Sequence, residues 1–124
     1  MTRGRSIKNR RRFLRAPFFG ALIAHDNHRV FQGSCVNISV LGLSFFTPVE
    51  FHPVGSKILV HVKPGSGLSP FNAICEVVSA AKVVDADNQN KKAIKYGLRF
   101  VKIAPKIQEE IHAFTQKNKG QVAA

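Results

Sequence analysis

The stretch Ile94–Phe100, IKYGLRF in one-letter code, decides the fold. Its apolar residues alternate with Lys95, Gly97 and Arg99. A period of two is that of a β-strand with one face in a core and the other in water. This alternation therefore predicts a strand over residues 94–100.

A helix is predicted directly after this strand, over about residues 105–117. Pro105 suits the first turn of a helix, and Ile107, Ile111 and Phe114 recur at i, i+4 and i+7 to form one apolar stripe. We expect this stripe to cover an open end of the layer of strands. Residues 118–124 are expected to form a frayed tail.

Five further strands are predicted upstream, and Gly, Pro, Asn or Asp residues bound most of them. They cover residues 16–24, 28–39, 43–46, 55–62 and 71–84. Short strands at regular spacing, with turn signals between them, indicate an antiparallel barrel or sandwich. The fold class is therefore all-β with a C-terminal helix, built on six antiparallel strands.

Length and charge set the class of protein. A chain of 124 residues suits one domain with one core. No apolar run approaches the ~20 residues that span a bilayer, and no secretory signal follows the basic N-terminus. Cys35 and Cys75 lie far apart, which is typical of free thiols in a cytoplasmic protein. We expect a cytoplasmic location.

The net charge of +12 is concentrated at the start of the chain. Residues 1–15 hold seven basic residues and no acid, namely Arg3, Arg5, Lys8, Arg10, Arg11, Arg12 and Arg15. Such an arm suits a solvated tail, or a patch for nucleic acid or an anionic membrane. Phe13 and Leu14 argue against a tail that is only solvated. Guanidinium groups also match phosphate oxygens with paired hydrogen bonds.

A second polar stretch lies at the end of the second predicted strand. The alternation there is predicted to turn Val36, Ile38 and Val40 inward, so that Asn37 and Ser39 share the outer face. Leu41-Gly42 is predicted to make a tight reversal of the chain. An amide, a hydroxyl and a backbone without a side chain then lie close together, which indicates a nucleotide site when a phosphate-binding arm faces them.

Three motifs, in order, carry a resemblance to a known family. Arg11 and Arg15, spaced Arg-x-x-x-Arg, precede the first predicted strand; Asn37-x-Ser39-x-x-Gly42 ends the second; and Gly97-Leu98-Arg99-Phe100 lies in the last. Together they resemble a PilZ domain over about residues 8–116. We place the domain at residues 10–116, with its barrel over about 16–102, after a flexible basic arm of residues 1–9.

The resemblance implies a six-stranded β-barrel that binds cyclic di-GMP, a bacterial second messenger. Arg11 and Arg15 would contact phosphates and the Hoogsteen edge of a guanine. Asn37 and Ser39 would hydrogen-bond the base, and Gly42 would allow close approach of the ligand. No cofactor is expected besides this ligand.

Further arginines are implied by the same resemblance. In this family, an arginine directly before the Arg-x-x-x-Arg pair tends to accompany an intercalated dimer of cyclic di-GMP, and here that position is Arg10. Arg12 competes for this role, because a one-residue shift of the arm would exchange the two. Arg99 is a further candidate.

Other clusters favour no chemistry of their own. His25-Asp26-Asn27-His28 lies at a predicted hairpin turn without the further ligands that a structural metal site needs, so no metal site is expected. The chain has seven acidic residues and no recognisable catalytic motif, which disfavours an enzyme.

The resulting hypothesis is a stand-alone cyclic di-GMP receptor whose arm folds over the ligand and which signals to an unidentified protein partner. Two alternatives stay open. One is a nucleic-acid-binding module that uses the same basic arm, which the pairing of the two motifs disfavours. The other is a PilZ-like protein adaptor that needs no nucleotide.

Overall fold

The computed structural model describes residues 14–26, 29–48, 53–65, 67–85 and 91–123. Within these ranges the chain forms seven strands and one helix. They are β1 (Ala16–Pro17), β2 (Gly20–His25), β3 (Val30–Ile38), β4 (Gly42–Thr47), β5 (Lys57–Pro64), β6 (Phe71–Asp85), β7 (Lys91–Ile103) and α1 (Pro105–Ala123).

Six of these strands close into an antiparallel barrel. The order around the barrel is β3-β2-β5-β6-β7-β4, and β4 pairs again with β3 to complete the ring. The short β1 pairs with the end of β3, Ala16 opposite Ile38. The predicted fold class, a six-stranded antiparallel barrel with a C-terminal helix, is confirmed.

Alternation along β5 and β7 builds much of the core. Ile58, Val60 and Val62 of β5 are buried, as are all four apolar residues of the stretch Ile94–Phe100 in β7. Tyr96 stacks on Phe45 of β4, with ring centroids 5.7 Å apart. The inward and outward faces predicted for these two strands are confirmed.

The first predicted strand, residues 16–24, is broken in two. Phe18 is buried and its N–H donates to the Val36 carbonyl oxygen (3.0 Å), whereas Phe19 is 79% exposed. The Phe19 carbonyl oxygen leaves the ladder and accepts from the Gly65 N–H (2.9 Å). Two adjacent Phe side chains point to opposite faces of an extended chain, so only one can enter the core.

The inward face predicted for the second strand is corrected by a bulge in β3. Between Cys35 and Asn37 the register with β4 shifts, so that Val36 is the extra residue. Cys35 and Ile38 are therefore buried, whereas Val36, predicted to point inward, is only half-buried. A bulge inserts one residue and interrupts the period of two.

Helix α1 covers the end of the barrel where β2 and β6 begin. Ile111 is fully buried, and Ile107 and Phe114 pack against the core. Phe114 meets Phe18 edge to face, with ring centroids 6.0 Å apart. The predicted stripe and its covering position are confirmed.

The predicted end of the helix near residue 117 is too early, because α1 continues to Ala123. The Asn118 Nδ2 group donates to the Phe114 carbonyl oxygen (2.8 Å) and supports the turn at the predicted end. Gly120 costs about 1 kcal/mol relative to Ala inside a helix, less than a proline would. This cost is small enough for the helix to continue through Gly120 to Ala123.

Candidate functional site

The turn between β3 and β4 is the first part of the candidate site. The Ser39 N–H donates to the Gly42 carbonyl oxygen (2.8 Å), and the Gly42 N–H donates back to the Ser39 carbonyl oxygen (3.3 Å). The Ser39 Oγ accepts from the Leu41 N–H (3.1 Å) and is thereby held in place. The Ser39 hydroxyl hydrogen remains available to donate to a ligand.

Asn37 is oriented by a neighbouring hydroxyl. The Ser44 Oγ donates to Asn37 Oδ1 (2.9 Å), from the residue directly opposite on β4. Ser44 is buried, so this bond also satisfies a hydroxyl that water reaches poorly. Since the bond uses the carbonyl end of Asn37, the NH2 group is the part of the side chain that can donate to a ligand.

Gly42 and Gly97 let neighbouring strands pack closely together in the wall of the site. A Cβ built on Gly42 would lie 2.9 Å from the Leu98 carbonyl carbon and 3.0 Å from the Arg99 Cα, and closer still to the Leu98 carbonyl oxygen. The Ser79 Oγ occupies the space that a Cβ on Gly97 would need. Strands β4, β6 and β7 can approach one another this closely only because both positions lack side chains.

These groups surround one cavity of about 430 Å³, which we call the motif cavity. Its lining comprises Arg15, Asn37, Ser39, Leu41, Gly42, Leu43, Ser44, Val78, Ser79, Ala81, Lys95, Gly97, Leu98 and Arg99. This volume lies within the range of about 300–1,000 Å³ that is typical of small-molecule sites. Neutral donors and cationic groups share its wall, and the lining residues include no carboxylate, so the motif cavity suits an anionic ligand with hydrogen-bond acceptors.

The cations of the motif cavity differ in their partners. Arg15 directly precedes β1 and is exposed. Arg99 forms an ion pair with Glu76, which lies opposite it on β6. Lys95 lies on the same outer face of β7 as Arg99, as the alternation of that strand requires.

In a comparison with family models, the PilZ domain model matches residues 9–117. The chain belongs to the PilZ domain family. A comparison with curated proteins finds no match.

Solved PilZ structures share the fold of this PilZ chain. The PilZ domain of YcgR from Escherichia coli with c-di-GMP matches with a TM-score of 0.69 at 13% identity, covering 91% of this chain and 94% of that one. MrkH of K. pneumonia in its apo state matches with a TM-score of 0.74 at 13% identity, over 90% of this chain and 49% of that one. The inhibitor of motility MotI/DgrA of Bacillus subtilis gives 0.65 at 13% identity, over 90% and 51%. The chain thus spans about half the length of MrkH and MotI.

The structure brings together every predicted PilZ site residue that it describes. Arg15, Asn37, Ser39, Gly42 and Arg99 all line the motif cavity. Arg10, Arg11 and Arg12 lie outside the described residues, so their predicted roles stay predictions.

Sequence reasoning missed three polar residues of this PilZ cavity, namely Ser44, Ser79 and Lys95. Lys95 could have been found, because the alternation of β7 already placed it on the face of Arg99. Ser79 could not, because a register shift between Val77 and Ser79 decides which way it faces. The position of Ser44 beside Asn37 could not be predicted either, because it depends on the bulge in β3.

The described residues form neither a metal site of three ligands nor a membrane-spanning helix. In the part of the chain that the structure describes, no three His, Cys, Asp or Glu side chains come together as metal ligands. Asp26 caps its own turn by accepting from the Arg29 N–H (2.9 Å), while Asn27 and His28 lie outside the described residues. Among those residues, no helix is both long and apolar enough to cross a membrane.

Proposed function

We propose that this chain is a cyclic di-GMP receptor that binds the nucleotide in the motif cavity and then presents an altered surface to a protein partner. The observation that carries the proposal is that Arg15, from the arginine motif, lines the same cavity as Asn37, Ser39 and Gly42, from the second motif. The YcgR PilZ domain, whose fold this chain shares, is described with c-di-GMP.

The ligand chemistry fits the groups that line the cavity. Cyclic di-GMP carries two phosphodiester charges, and each guanine offers the O6/N7 acceptor pair that an arginine fork matches. The Asn37 NH2 group and the Ser39 hydroxyl are donors held in fixed orientations, so they can read the acceptors of a base. Gly42 lets β4 pack directly against the Leu98 carbonyl group of β7 in the wall of the cavity.

Arginines 10 to 12 act from the arm that leads to Arg15. Arg11 is four residues from Arg15, and an extended chain covers about 3.3–3.6 Å per residue, so Arg11 can reach across a ligand seated beside Arg15. Ordering of this arm over the nucleotide is the change that a protein partner would detect. Arg99 attracts the phosphates of the ligand less strongly than Arg15 does, because Glu76 already offsets the charge of Arg99.

Titration with cyclic di-GMP tests the proposal. Arg15→Ala is expected to cost about 2–3 kcal/mol of binding free energy, a loss of affinity of roughly 30- to 150-fold. Lys102→Ala is the matched control, because Lys102 is exposed and is not among the residues lining the cavity. Equal modest losses for both variants would mean that the basic residues act as diffuse charge and would refute the site.

A random oligonucleotide titrated in parallel separates the receptor from a nucleic-acid-binding module. Binding through phosphates alone weakens steeply with salt and is blind to sequence. We expect saturable binding of cyclic di-GMP at moderate salt, where the oligonucleotide binds weakly. The reverse order of affinities would favour the nucleic-acid module, and no binding of either would favour a nucleotide-independent adaptor.

Asn37→Ala and Ser39→Ala test the second motif. Both substitutions are expected to lower the affinity for cyclic di-GMP, since each removes a hydrogen-bond donor from the cavity wall. Asn37→Ala also leaves the buried Ser44 hydroxyl without its acceptor, which costs about 1–3 kcal/mol of folding stability. A thermal melt beside each titration separates the two effects: unchanged affinity in a folded Asn37→Ala variant would remove Asn37 from the site.

A further inference from the structure

A second cluster of polar groups lies on the outer wall of the barrel, formed by β2, β5 and β6. It consists of His25, His61 and Asn72, none of which lines the motif cavity. The two imidazole Nε2 atoms are 2.9 Å apart, and the His61 Nδ1 atom bonds to the Asn72 Oδ1 atom. The proposed nucleotide site does not use this cluster.

Strand register places the three side chains side by side. His61 lies opposite Asn72 on β6 and opposite Ile23 on β2, two residues from His25 along that strand. Side chains directly opposite, and those diagonal by two residues, share one face of a sheet and can touch. The neighbours Val60 and Val62 are buried, so the alternation of β5 turns His61 outward.

One assignment of the ring protons satisfies both hydrogen bonds of this cluster. The Asn72 carbonyl oxygen can only accept, so the His61 Nδ1–H donates to it. The His61 Nε2 atom then carries a lone pair and accepts from the His25 Nε2–H. The ring planes are inclined by only 14° and the centroids are 5.0 Å apart, so the rings meet edge to edge through these two nitrogens.

We propose that His25 and His61 bind a divalent transition-metal ion, such as Zn²⁺ or Cu²⁺, through their Nε2 atoms. Neutral imidazole is a good ligand for both metals. A metal-bound histidine commonly donates its other ring N–H to a carbonyl or carboxylate, which orients the ring. Asn72 already does this for His61, so Asn72 is a positioning residue of the site.

The spacing of the two nitrogens is close to what a chelated ion needs. With metal–nitrogen bonds of about 2.0–2.1 Å, two nitrogens lie about 2.9 Å apart at a right angle and about 3.4 Å apart at the tetrahedral angle. The observed 2.9 Å is the length of the hydrogen bond that the ion replaces, so both rings turn on binding until their Nε2 lone pairs converge on the ion. On binding, His25 moves its single ring proton from Nε2 to Nδ1, and water fills the remaining positions.

Titration of the full, tag-free chain with zinc chloride and with copper(II) chloride tests this site, with magnesium chloride as the negative control. We expect saturable binding of Zn²⁺ and Cu²⁺, and zinc-dependent shifts of the His25 and His61 ring nitrogens in NMR spectra. His25→Ala and His61→Ala are each expected to lower the affinity for zinc at least about tenfold. Asn72→Ala is expected to lower it by about ten- to a hundredfold. His112→Ala, on the exposed face of α1, is the matched control and should bind zinc as the wild type does.

Two results would overturn the proposal. One is wild-type zinc affinity in folded His25→Ala and His61→Ala variants. The other is a wild-type NMR titration in which these two rings do not respond to zinc, and it decides the question even if the variants fail to fold. Wild-type zinc affinity in Asn72→Ala would overturn the positioning role, because a residue that serves only the fold would not change metal affinity.

Discussion

Replacing Gly42 with alanine tests how the motif cavity is built. The new Cβ would lie 2.9 Å from the Leu98 carbonyl carbon, whereas carbon atoms pack favourably at about 3.5–4.0 Å. Strands β4 and β7 would have to separate by at least about 1 Å, because the Leu98 carbonyl oxygen lies closer still. The Phe100 N–H donates to the Leu41 carbonyl oxygen (2.8 Å) beside this contact, and that bond would be lengthened or lost.

The cost can be summed from these two effects. Overpacking costs about 1–3 kcal/mol, and loss of one backbone hydrogen bond costs about 1 kcal/mol, which gives a destabilisation of about 2–4 kcal/mol. For a chain of this size, 1 kcal/mol shifts the melting temperature by about 4 °C. Gly42→Ala should therefore melt about 8–16 °C below the wild type in scanning calorimetry.

Gly65→Ala is the matched control for this substitution. A Cβ on Gly65 would meet its nearest neighbour, the Phe19 carbonyl oxygen, at 3.3 Å, so a shift of a few tenths of an ångström accommodates it. We expect a change in melting temperature of less than about 4 °C. If Gly42→Ala melts no lower than Gly65→Ala, the close approach of β4 to β7 does not restrict residue 42 and the reasoning is wrong.

Three further predictions concern the core, the cysteines and the number of ligands. Ile38→Ala removes a fully buried side chain and should cost about 2–5 kcal/mol in urea unfolding; a cost below about 1 kcal/mol would contradict the placement of β3. Burial raises the pKa of both Cys35 and Cys75 to about 12, so a thiol reagent near pH 8 should label them only on unfolding, and labelling of the native chain at the rate of a free thiol would refute this. Because the pKa in the folded state is raised, the two thiols stabilise the fold below the ordinary cysteine pKa, and calorimetry should show this contribution falling as the pH rises towards about 12. Arg10→Leu should lower the stoichiometry of cyclic di-GMP from two per chain while some binding remains, and a wild-type titration that saturates at one ligand per chain would refute the dimer.

The sequence alone determined the class of fold and the faces of its most regular elements. Strict alternation along β5 and β7 and the stripe of α1 predicted buried sets that the structure confirms. These patterns are readable because burial of one face imposes a fixed period on a strand or helix. The motifs likewise predicted Arg15, Asn37, Ser39 and Gly42 as members of one site, and the structure places all four around one cavity.

Only the tertiary structure decided the irregular positions. The bulge at Val36 and the break at Phe18–Phe19 arise from the way these strands pair with their neighbours, which no local period encodes. Register likewise brings Ser79 to Gly97 and Glu76 to Arg99. It also places His61 beside His25, 36 positions away in the chain. Such pairs are invisible in the sequence because the pairing and register of the strands, and not the spacing of residues, set which side chains meet.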